Sequence, residues 1–435
     1  MLNSEELRTA FKERMYQDVQ AEDKEVPNHL KDASRDTEGF GHGAGYLYPH
    51  AYRDHWVAQQ YLPSELVGRV FYTPTDQGYE ASIRDDVLSR RELQIAAILE
   101  ESSENENEIA NEIVNPIDKM WHASRIHHGD KKTDENLTFS PGDEKRNEWQ
   151  RRLDSGRAEA LLEIRNTAID FADLKRHSRS LVIGADDGLF IWELWRREVE
   201  GFTCGLCKTE RGKQILEQYA STLDMIDRPK LVLSLDELNS ELDAADFDYI
   251  FFKDAVSAKS EFENFSLVLA ELKNRFSNAT FIFVQKIPSE NQRLSNLVRQ
   301  ARCADTRETH SLLDEIEQAE NEFFAQQQDF NWSEKDFLNV VRKIQNGDSC
   351  DKIQLTTKII TEKRKFNDAD IERWFSPNSR YGAFLREKLG EGKSSNDSLP
   401  SLPNEDKINI FTSILKTESK NREWNWNSVY AFVKG

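Results

Sequence analysis

Gly184, Asp186 and Gly188 have the types and spacing that would let a small ligand lie against the backbone. They follow a short apolar run and precede a stretch of mixed apolar and charged residues, which predicts a turn between a strand and a helix. A glycine in such a turn leaves open the space that any other residue would fill with a side chain. We therefore interpret this turn as the candidate ligand site of the chain.

Cys204 and Cys207 form a Cys-x-x-Cys pair, a spacing that redox enzymes and zinc sites also use. A redox pair usually opens a helix, where the helix dipole lowers the thiol pKa, but this pair lies within a predicted strand at 202–207. A structural zinc site needs four ligands, and the remaining Cys303 and Cys350 form no second pair. We interpret the cysteines as structural and expect no metal.

Asp236 and Glu237 follow an apolar run, as does the Asp-Glu pair that ends the magnesium-binding strand of many ATPases. Such ATPases also need a Gly-x-x-x-x-Gly-Lys-Ser/Thr loop to hold the nucleotide phosphates, and this sequence contains none. We expect no ATP hydrolysis by this chain.

The formal net charge is −20. The negative electrostatic field of such a chain repels phosphate backbones, so we do not expect the chain as a whole to bind nucleic acid. A run of basic residues from Lys145 to Arg165 is a candidate local DNA contact, but we favour the interpretation that it forms the solvent-exposed face of a helix.

The apolar runs have the length of strands rather than of membrane spans. The N-terminus lacks the apolar core of a signal peptide, so we expect a cytoplasmic protein without membrane contact.

Strands and helices alternate from residue 155 onward, which is the arrangement needed to place the glycine turn at the edge of a sheet. Strands are predicted at 181–185, 202–207, 230–234, 248–253 and 280–286, with helices at 189–199, 210–220 and 262–276 between them. Strands joined by helices form a parallel sheet that is covered on both faces. Further helices are predicted at 311–327, after Ser333, and at 368–375, 382–389 and 406–415, with strands at 353–360 and 429–433 and a loop at 391–405. We assign Trp424 and Trp426 to core packing of the last strand rather than to a binding edge.

The region before residue 155 is polar, aromatic-rich and weakly patterned, except for a helix predicted at 79–100. Its motifs are Tyr46, Tyr48-Pro49-His50, Gln59-Gln60-Tyr61-Leu62-Pro63 and Gly78-Tyr79-Glu80. At this spacing they resemble the C-terminal domain of the RarA/MgsA family of AAA+ ATPases, over about the first hundred residues. The resemblance implies a helical region that assembles tetramers behind an ATPase motor, in proteins of replication-fork maintenance and recombination.

The turn at Gly184 resembles motif I of class I methyltransferases that use S-adenosylmethionine. Gly184 and Gly188 match the first and last glycines of that motif, whereas Asp186 stands where the middle glycine is usual and would crowd the cofactor. Val182 also stands where an acidic residue is usual. The resemblance implies that Cys207 takes the place of the acid that holds the ribose hydroxyls, and a thiol is a poor substitute for a carboxylate.

The same resemblance places Asp236 near the adenine side and Asp254 after the fourth strand. The Asn/Asp-Pro-Pro-aromatic motif and the Pro-Cys nucleophile of DNA methyltransferases are absent. S-adenosylmethionine is the cofactor that the resemblance allows, but the altered motif leads us to expect weak binding or none. We predict no catalytic residue.

The whole chain also resembles the fused RarA-like proteins of cyanobacteria, in which a methyltransferase-like domain follows the ATPase. The matching segments are Gln285–Pro288, Gln292–Leu294, Ala319–Glu320 with Trp332, and Arg373–Phe375. We predict an α/β chain with a small helical N-terminal domain at 1–100, an acidic linker and weakly patterned segment at 101–150, and a doubly wound Rossmann-like methyltransferase fold with helical insertions at 151–435.

The function that these resemblances favour is an accessory or oligomerisation module in DNA replication, recombination or repair. The alternatives are an active methyltransferase of unknown substrate and an acidic protein that binds a partner's basic surface. The expected partners are further copies of the chain in a homotetramer and a separate ATPase chain or other replication proteins. DNA contact is expected only indirectly or through the local basic face.

Overall fold

The structure, a computed structural model, describes two regions of the chain separated by residues 110–154. The described residues are 56, 61–62, 66, 68–109, 155–221, 223, 228–241, 247–300, 307–343, 353–364, 366, 368–391 and 404–435. The basic run from Lys145 to Arg157 and most of the RarA-like motifs lie outside the described side chains, as does most of the predicted loop at 391–405.

A mixed sheet of seven strands lies at the centre of the second region. The strands are β1 (Arg179–Ile183), β2 (Phe202–Leu206), β3 (Lys230–Val232), β4 (Tyr249–Lys253), β5 (Thr280–Lys286), β6 (Gln354–Arg364) and β7 (Trp424–Lys434). Their order is β3-β2-β1-β4-β5-β7-β6. Neighbours from β3 to β5 run parallel, whereas β7 is antiparallel to both β5 and β6. This is the predicted Rossmann-like methyltransferase fold.

Helices cover both faces of the sheet and form an additional module beyond it. They are α1 (Gly78–Ile109), α2 (Ser155–Ala172), α3 (Ile191–Arg197), α4 (Glu210–Ala220), α5 (Leu235–Glu241), α6 (Phe262–Arg275), α7 (Leu294–Gln300), α8 (Arg307–Gln326), α9 (Glu334–Arg342), α10 (Asp368–Trp374), α11 (Arg380–Glu391) and α12 (Asn404–Asn421). Among the described residues, no helix is long and apolar enough to cross a membrane.

The buried apolar residues of the described part of the chain form three clusters. Two of them lie on opposite faces of the sheet, because successive residues of a strand point to opposite faces. Val182 of β1 packs with α1 to α4 on one face, and Leu181 packs with α6 and α9 on the other. The parallel strands are apolar at consecutive positions since both of their faces are covered. The third cluster joins α7, α8 and α10 to α12 to Trp424 and Trp426, which are 2% and 4% exposed, so the tail tryptophans pack in the core.

Several elements differ from their predicted bounds. The helix α1 continues to Ile109, through the residues that the sequence assigned to an acidic linker. Strand β7 begins at Trp424, five residues before its predicted start, and pairs along its whole length with β6. The short helices α5 and α7 were not predicted.

The order of the strands places a crevice at the carboxyl end of β1. The chain runs outward from β1 to β2 and β3, and then returns to lay β4 against the other side of β1. Ligands of open α/β sheets bind where the strand order reverses in this way. The glycine turn at 184–188 directly follows β1 and therefore stands at this position.

Candidate functional site

The turn after β1 depends on glycine at both of its ends. Gly184 and Gly188 have positive φ angles of 71° and 66°, and a short 3-10 turn, Ala185–Asp187, lies between them. A Cβ atom at Gly188 would lie 2.7 Å from Leu216 and 2.9 Å from Trp192. Both the backbone conformation and the packing therefore exclude a larger residue at this position.

The Asp186 carboxylate reaches from this turn to the start of α4. Its oxygens accept hydrogen bonds from the backbone nitrogens of Lys208 and Thr209, each at 2.7 Å, and from the Thr209 hydroxyl at 2.7 Å. Thr209 is the N-cap residue of α4. The carboxylate thus lies at a helix N-terminus, where free backbone donors and the helix dipole stabilise negative charge.

Gly212, in the first turn of α4, makes room for this carboxylate. A Cβ atom there would lie 2.7 Å from Asp186 Oδ1 and 3.0 Å from Thr209 Oγ1. Because its φ angle is not in the positive range, Gly212 is required for space rather than for backbone freedom. The sequence alone did not single out this residue.

Whereas Asp186 contacts the start of α4, the next residue, Asp187, contacts β4. Its Oδ2 lies 2.8 Å from Lys253 Nζ, and its Oδ1 accepts a hydrogen bond from the Leu189 nitrogen at 3.0 Å. The two side chains of the ion pair are only 17% and 11% exposed. We call the contacts of Asp186 with Lys208 and Thr209, together with the pair between Asp187 and Lys253, the aspartate clasp. The clasp joins the β1 turn to the start of α4 and to the end of β4.

Cys207, which the resemblance assigns to the ribose position, is a buried residue. It follows β2, is 1% exposed and packs in the core beneath α4, where burial raises the pKa of its thiol. Cys204 is buried in the cluster on the other face of the sheet, and burial raises its thiol pKa to about 12. The two thiols are free and point to opposite faces, so they cannot form a disulfide across the sheet.

The structure also changes the interpretation of Asp236. It is exposed in the first turn of α5, and β3 ends at Val232, so Asp236 does not end a strand as an ATPase aspartate would. The adjacent Glu237 is the carboxylate that faces α4: it accepts from the Leu233 nitrogen at 2.7 Å and pairs with Lys213 at 2.9 Å. These two contacts lower the pKa of Glu237.

Asp254 follows β4, as predicted, but its carboxylate is bound to β5. Its nitrogen donates to the Val284 carbonyl and its Oδ1 accepts from the Lys286 nitrogen, both at 2.9 Å. Its φ angle is 44°, which is uncommon for a residue other than glycine. Asp254 therefore joins the ends of β4 and β5.

The structure thus brings together some of the predicted site residues and not others. Gly184, Asp186 and Gly188 share one turn, and Asp254 stands beside Lys253 at the next strand end, whereas Cys207 is a core residue and Asp236 is exposed. The residues that sequence reasoning missed are Asp187, Gly212, Glu237 and Lys253. The charge of Asp187 directly after Asp186 was a visible signal, but its partner lies 66 residues away.

Two other predicted features concern metals and nucleic acid. Within the described ranges, no group of three or more His, Cys, Asp and Glu side chains is placed to hold a metal ion. Arg165, the last residue of the basic run, is 5% exposed and lies between Glu92 and Glu193. It is therefore not part of a solvated or DNA-binding face.

Comparison with known proteins gives two separate likenesses. Residues 2–91 match the family described as MgsA AAA+ ATPase C terminal. Over 71 residues the chain is 41% identical to the Replication-associated recombination protein A of Bacillus subtilis strain 168. That match covers 15% of this chain and only 17% of the length of that relative.

The second likeness is to solved methyltransferase structures. Coclaurine N-methyltransferase bound to N-methylheliamine and SAH is 12% identical with a TM-score of 0.29, over 63% of this chain and 71% of that one. The cyclopropane synthase MmaA2 of Mycobacterium tuberculosis is 13% identical with a TM-score of 0.31, over 63% and 83%. The fold assignment rests on the strand order of the chain itself. The chain therefore carries an MgsA/RarA-type C-terminal region near its N-terminus and, after it, a methyltransferase-like α/β domain.

Proposed function

We propose that the chain is an accessory, self-assembling module of a RarA-like factor in DNA replication, recombination and repair, and that its methyltransferase-like domain does not use S-adenosylmethionine. The RarA-type region supports the first part. The aspartate clasp is the observation that carries the second part, because it joins the β1 turn to its neighbours where a cofactor would have to lie.

The residues at the turn do not fit S-adenosylmethionine. The Asp186 carboxylate accepts three hydrogen bonds from the start of α4, and the Cys207 thiol is buried in the core. A cofactor that used the Asp186 or Asp187 carboxylate would have to replace the contacts of the aspartate clasp. A hydrogen bond to a charged group contributes about 1.5–3 kcal/mol, so breaking even two would weaken binding by roughly a hundredfold or more.

Titration calorimetry with S-adenosylmethionine and S-adenosylhomocysteine tests this proposal. We expect no measurable heat, or a Kd in the millimolar range or above, for the unaltered chain. The substitution Asp186→Gly removes the carboxylate from the crevice and restores a glycine where the methyltransferase motif has one. It should tighten binding by about tenfold or more, on the scale of one charged hydrogen bond.

The matched control is Glu210→Gln, which removes one negative charge from the exposed first turn of the same helix without touching the clasp. It should leave binding unchanged. Tight binding by the unaltered chain would contradict the proposal.

The second candidate function is an active S-adenosylmethionine-dependent methyltransferase of unknown substrate. The observation that favours it is the intact turn at the carboxyl end of β1, with both glycines in the conformation that the backbone needs there. Cofactor binding by the unaltered chain in the micromolar range would favour this candidate over the first.

A further inference from the structure

The boundary of the RarA-like match falls inside a helix that belongs to the methyltransferase-like core. The match ends at residue 91, whereas α1 runs without interruption from Gly78 to Ile109. Leu93, Ile95 and Ala96, just past the boundary, are 5%, 4% and 1% exposed and lie in the same core cluster as α2, α3 and α4. The helix in which the RarA-like match ends therefore continues into the apolar core of the methyltransferase-like domain.

Glu92 lies at the centre of this contact and is itself 3% exposed. Its carboxylate receives both terminal nitrogens of the Arg196 guanidinium, Nη2 at 2.7 Å, in a bidentate pair. Arg165 approaches the same carboxylate to 3.6 Å, and Tyr219 donates its hydroxyl at 3.3 Å. Each of the helices α2, α3 and α4 thus supplies one group to a single carboxylate on α1.

Glu193 completes the network from α3. It lies 2.8 Å from Arg196 and 3.6 Å from Arg165, so the two arginines face two carboxylates. Burial opposes the ionisation of Glu193, but hydrogen bonds from Arg196 and Arg197 outweigh it and lower its pKa to about 2. Among the described side chains, Glu92 is the carboxylate that α1 contributes to this network.

The segment before α1 also contacts the methyltransferase-like domain closely. Gly68 has a φ angle of 90°, and a Cβ atom there would lie 2.4 Å from the Ile215 carbonyl oxygen of α4. Val70 is 8% exposed in the same core cluster. Contact thus extends from residue 68 to residue 96, on both sides of the start of α1.

We propose that α2, α3 and α4 form a docking site for the RarA-like region and for α1, the helix that continues from it, with Arg165, Arg196 and Tyr219 as the groups that bind the Glu92 carboxylate. The contact holds the two regions together noncovalently, whether or not residues 110–154 connect them. A buried carboxylate between two arginines favours one register of α1, because a shift of the helix would separate the Glu92 carboxylate from Arg165, Arg196 and Tyr219. An oligomer built by the RarA-like region would then hold each methyltransferase-like domain in a fixed orientation rather than on a tether.

The test is to cut the intact protein between the two regions. A recognition sequence for a site-specific protease is inserted after Thr133, the purified full chain is cleaved, and the products are separated by gel filtration with light scattering at micromolar concentration. We expect the two fragments to elute together. Separation of the fragments of the unaltered chain would overturn the proposal.

Substitutions of Glu92 test the assigned contact. Glu92→Lys places a third cation between Arg165 and Arg196 and should weaken the association of the fragments by about a hundredfold or more, on the scale of a broken buried charge pair. Glu92→Gln keeps the shape of the side chain and should weaken it about tenfold. The control is Asp86→Lys, at a residue 60% exposed on the same helix, which should leave co-elution intact. Unchanged co-elution in both Glu92 variants would contradict the assignment.

Two further readouts separate this inference from other outcomes. Circular dichroism of the uncut variants shows whether they fold. If Glu92→Lys does not fold, the co-elution of the Glu92→Gln fragments alone tests the assigned contact. Co-elution of the fragments does not depend on the oligomeric state: if the chain is monomeric, the size of the complex falls, but the two fragments still elute together.

Discussion

Glu198, at the end of α3, is a buried carboxyl group that makes the stability of the domain depend on pH. It is 4% exposed and accepts hydrogen bonds from the hydroxyls of Ser180 and Thr203, on β1 and β2. Burial raises its pKa to about 8, and the charge of Asp248 adds to this effect. The group is therefore mostly protonated in the folded protein at neutral pH, whereas it ionises near pH 4.5 once unfolded.

From these values we predict that stability falls as the pH rises from about 4.5 to about 8, because only the unfolded chain releases the proton in this window. Glu198 should lower the free energy of unfolding of the unaltered chain by roughly 2–4 kcal/mol over this window. Glu198→Gln stays neutral at every pH and should not show this decrease. Urea denaturation of both proteins at pH 5 and pH 8.5 measures the difference. The exposed Glu200→Gln is the control, and parallel pH profiles of Glu198→Gln and the unaltered chain would contradict the prediction.

Single residues of the candidate site could be predicted only where the signal was local. The positions of Gly184 and Gly188 follow from a turn between a strand and a helix, which a short window of sequence contains. Whether the Asp186 carboxylate points into a pocket or onto α4 depends on residues more than twenty positions away. Cys207 was assigned to the site by a resemblance, whereas its burial depends on packing in the core that the resemblance does not contain.

The helix α7 is held by a buried carboxylate from another helix. Glu320 of α8 is 0% exposed and accepts hydrogen bonds from the backbone nitrogens of Leu294 and Ser295, from the Ser295 hydroxyl, and from Tyr381 of α11 at 2.7 Å. Every described partner of the carboxyl group is a donor. The group therefore caps α7 and joins three helices of the module next to the sheet.

We predict that Glu320→Gln destabilises the helical module more than Tyr381→Phe does. The amide of glutamine would turn a donor toward groups that are themselves donors, whereas phenylalanine removes only one bond, at a cost of about 1–3 kcal/mol. Hydrogen exchange at the amides of Leu294 and Ser295, measured alongside urea denaturation, should show faster exchange in Glu320→Gln. Equal exchange in the two variants would show that the cap is not essential to α7.

Among the elements, the parallel strands were the most predictable, since both faces of each are buried and the apolar run is continuous. Strand β5 has its predicted bounds, and the helix α4 does as well. The start of β7 was missed because its predicted bounds followed the apolar run that begins at Val429. Trp424 and Trp426, which precede that run, are buried by the helical module through contacts distant in sequence. The helices α5 and α7, of seven residues each, are too short for a periodic signal.

For the whole molecule, the match of residues 2–91 to the MgsA family leads us to predict self-association, most simply as a tetramer. Multi-angle light scattering measures the mass directly. A protein concentration of tens of micromolar is roughly above the Kd of most stable interfaces. A net charge of −20 opposes association at low salt, so the measurement is made at about 0.15 M salt, where charges more than about 8 Å apart are largely screened. A chain that stays monomeric under these conditions would contradict the prediction.

The close approach of Asp186 to Gly212 has a consequence for how this site can change over evolutionary time. Any side chain at position 212 would collide with the carboxylate, and loss of the carboxylate would leave the backbone donors at the start of α4 without their partner. Neither position can therefore vary freely while the other is kept. Aligned relatives should show the two positions changing together, and a lineage that regains an open turn should lose the glycine of α4 as well.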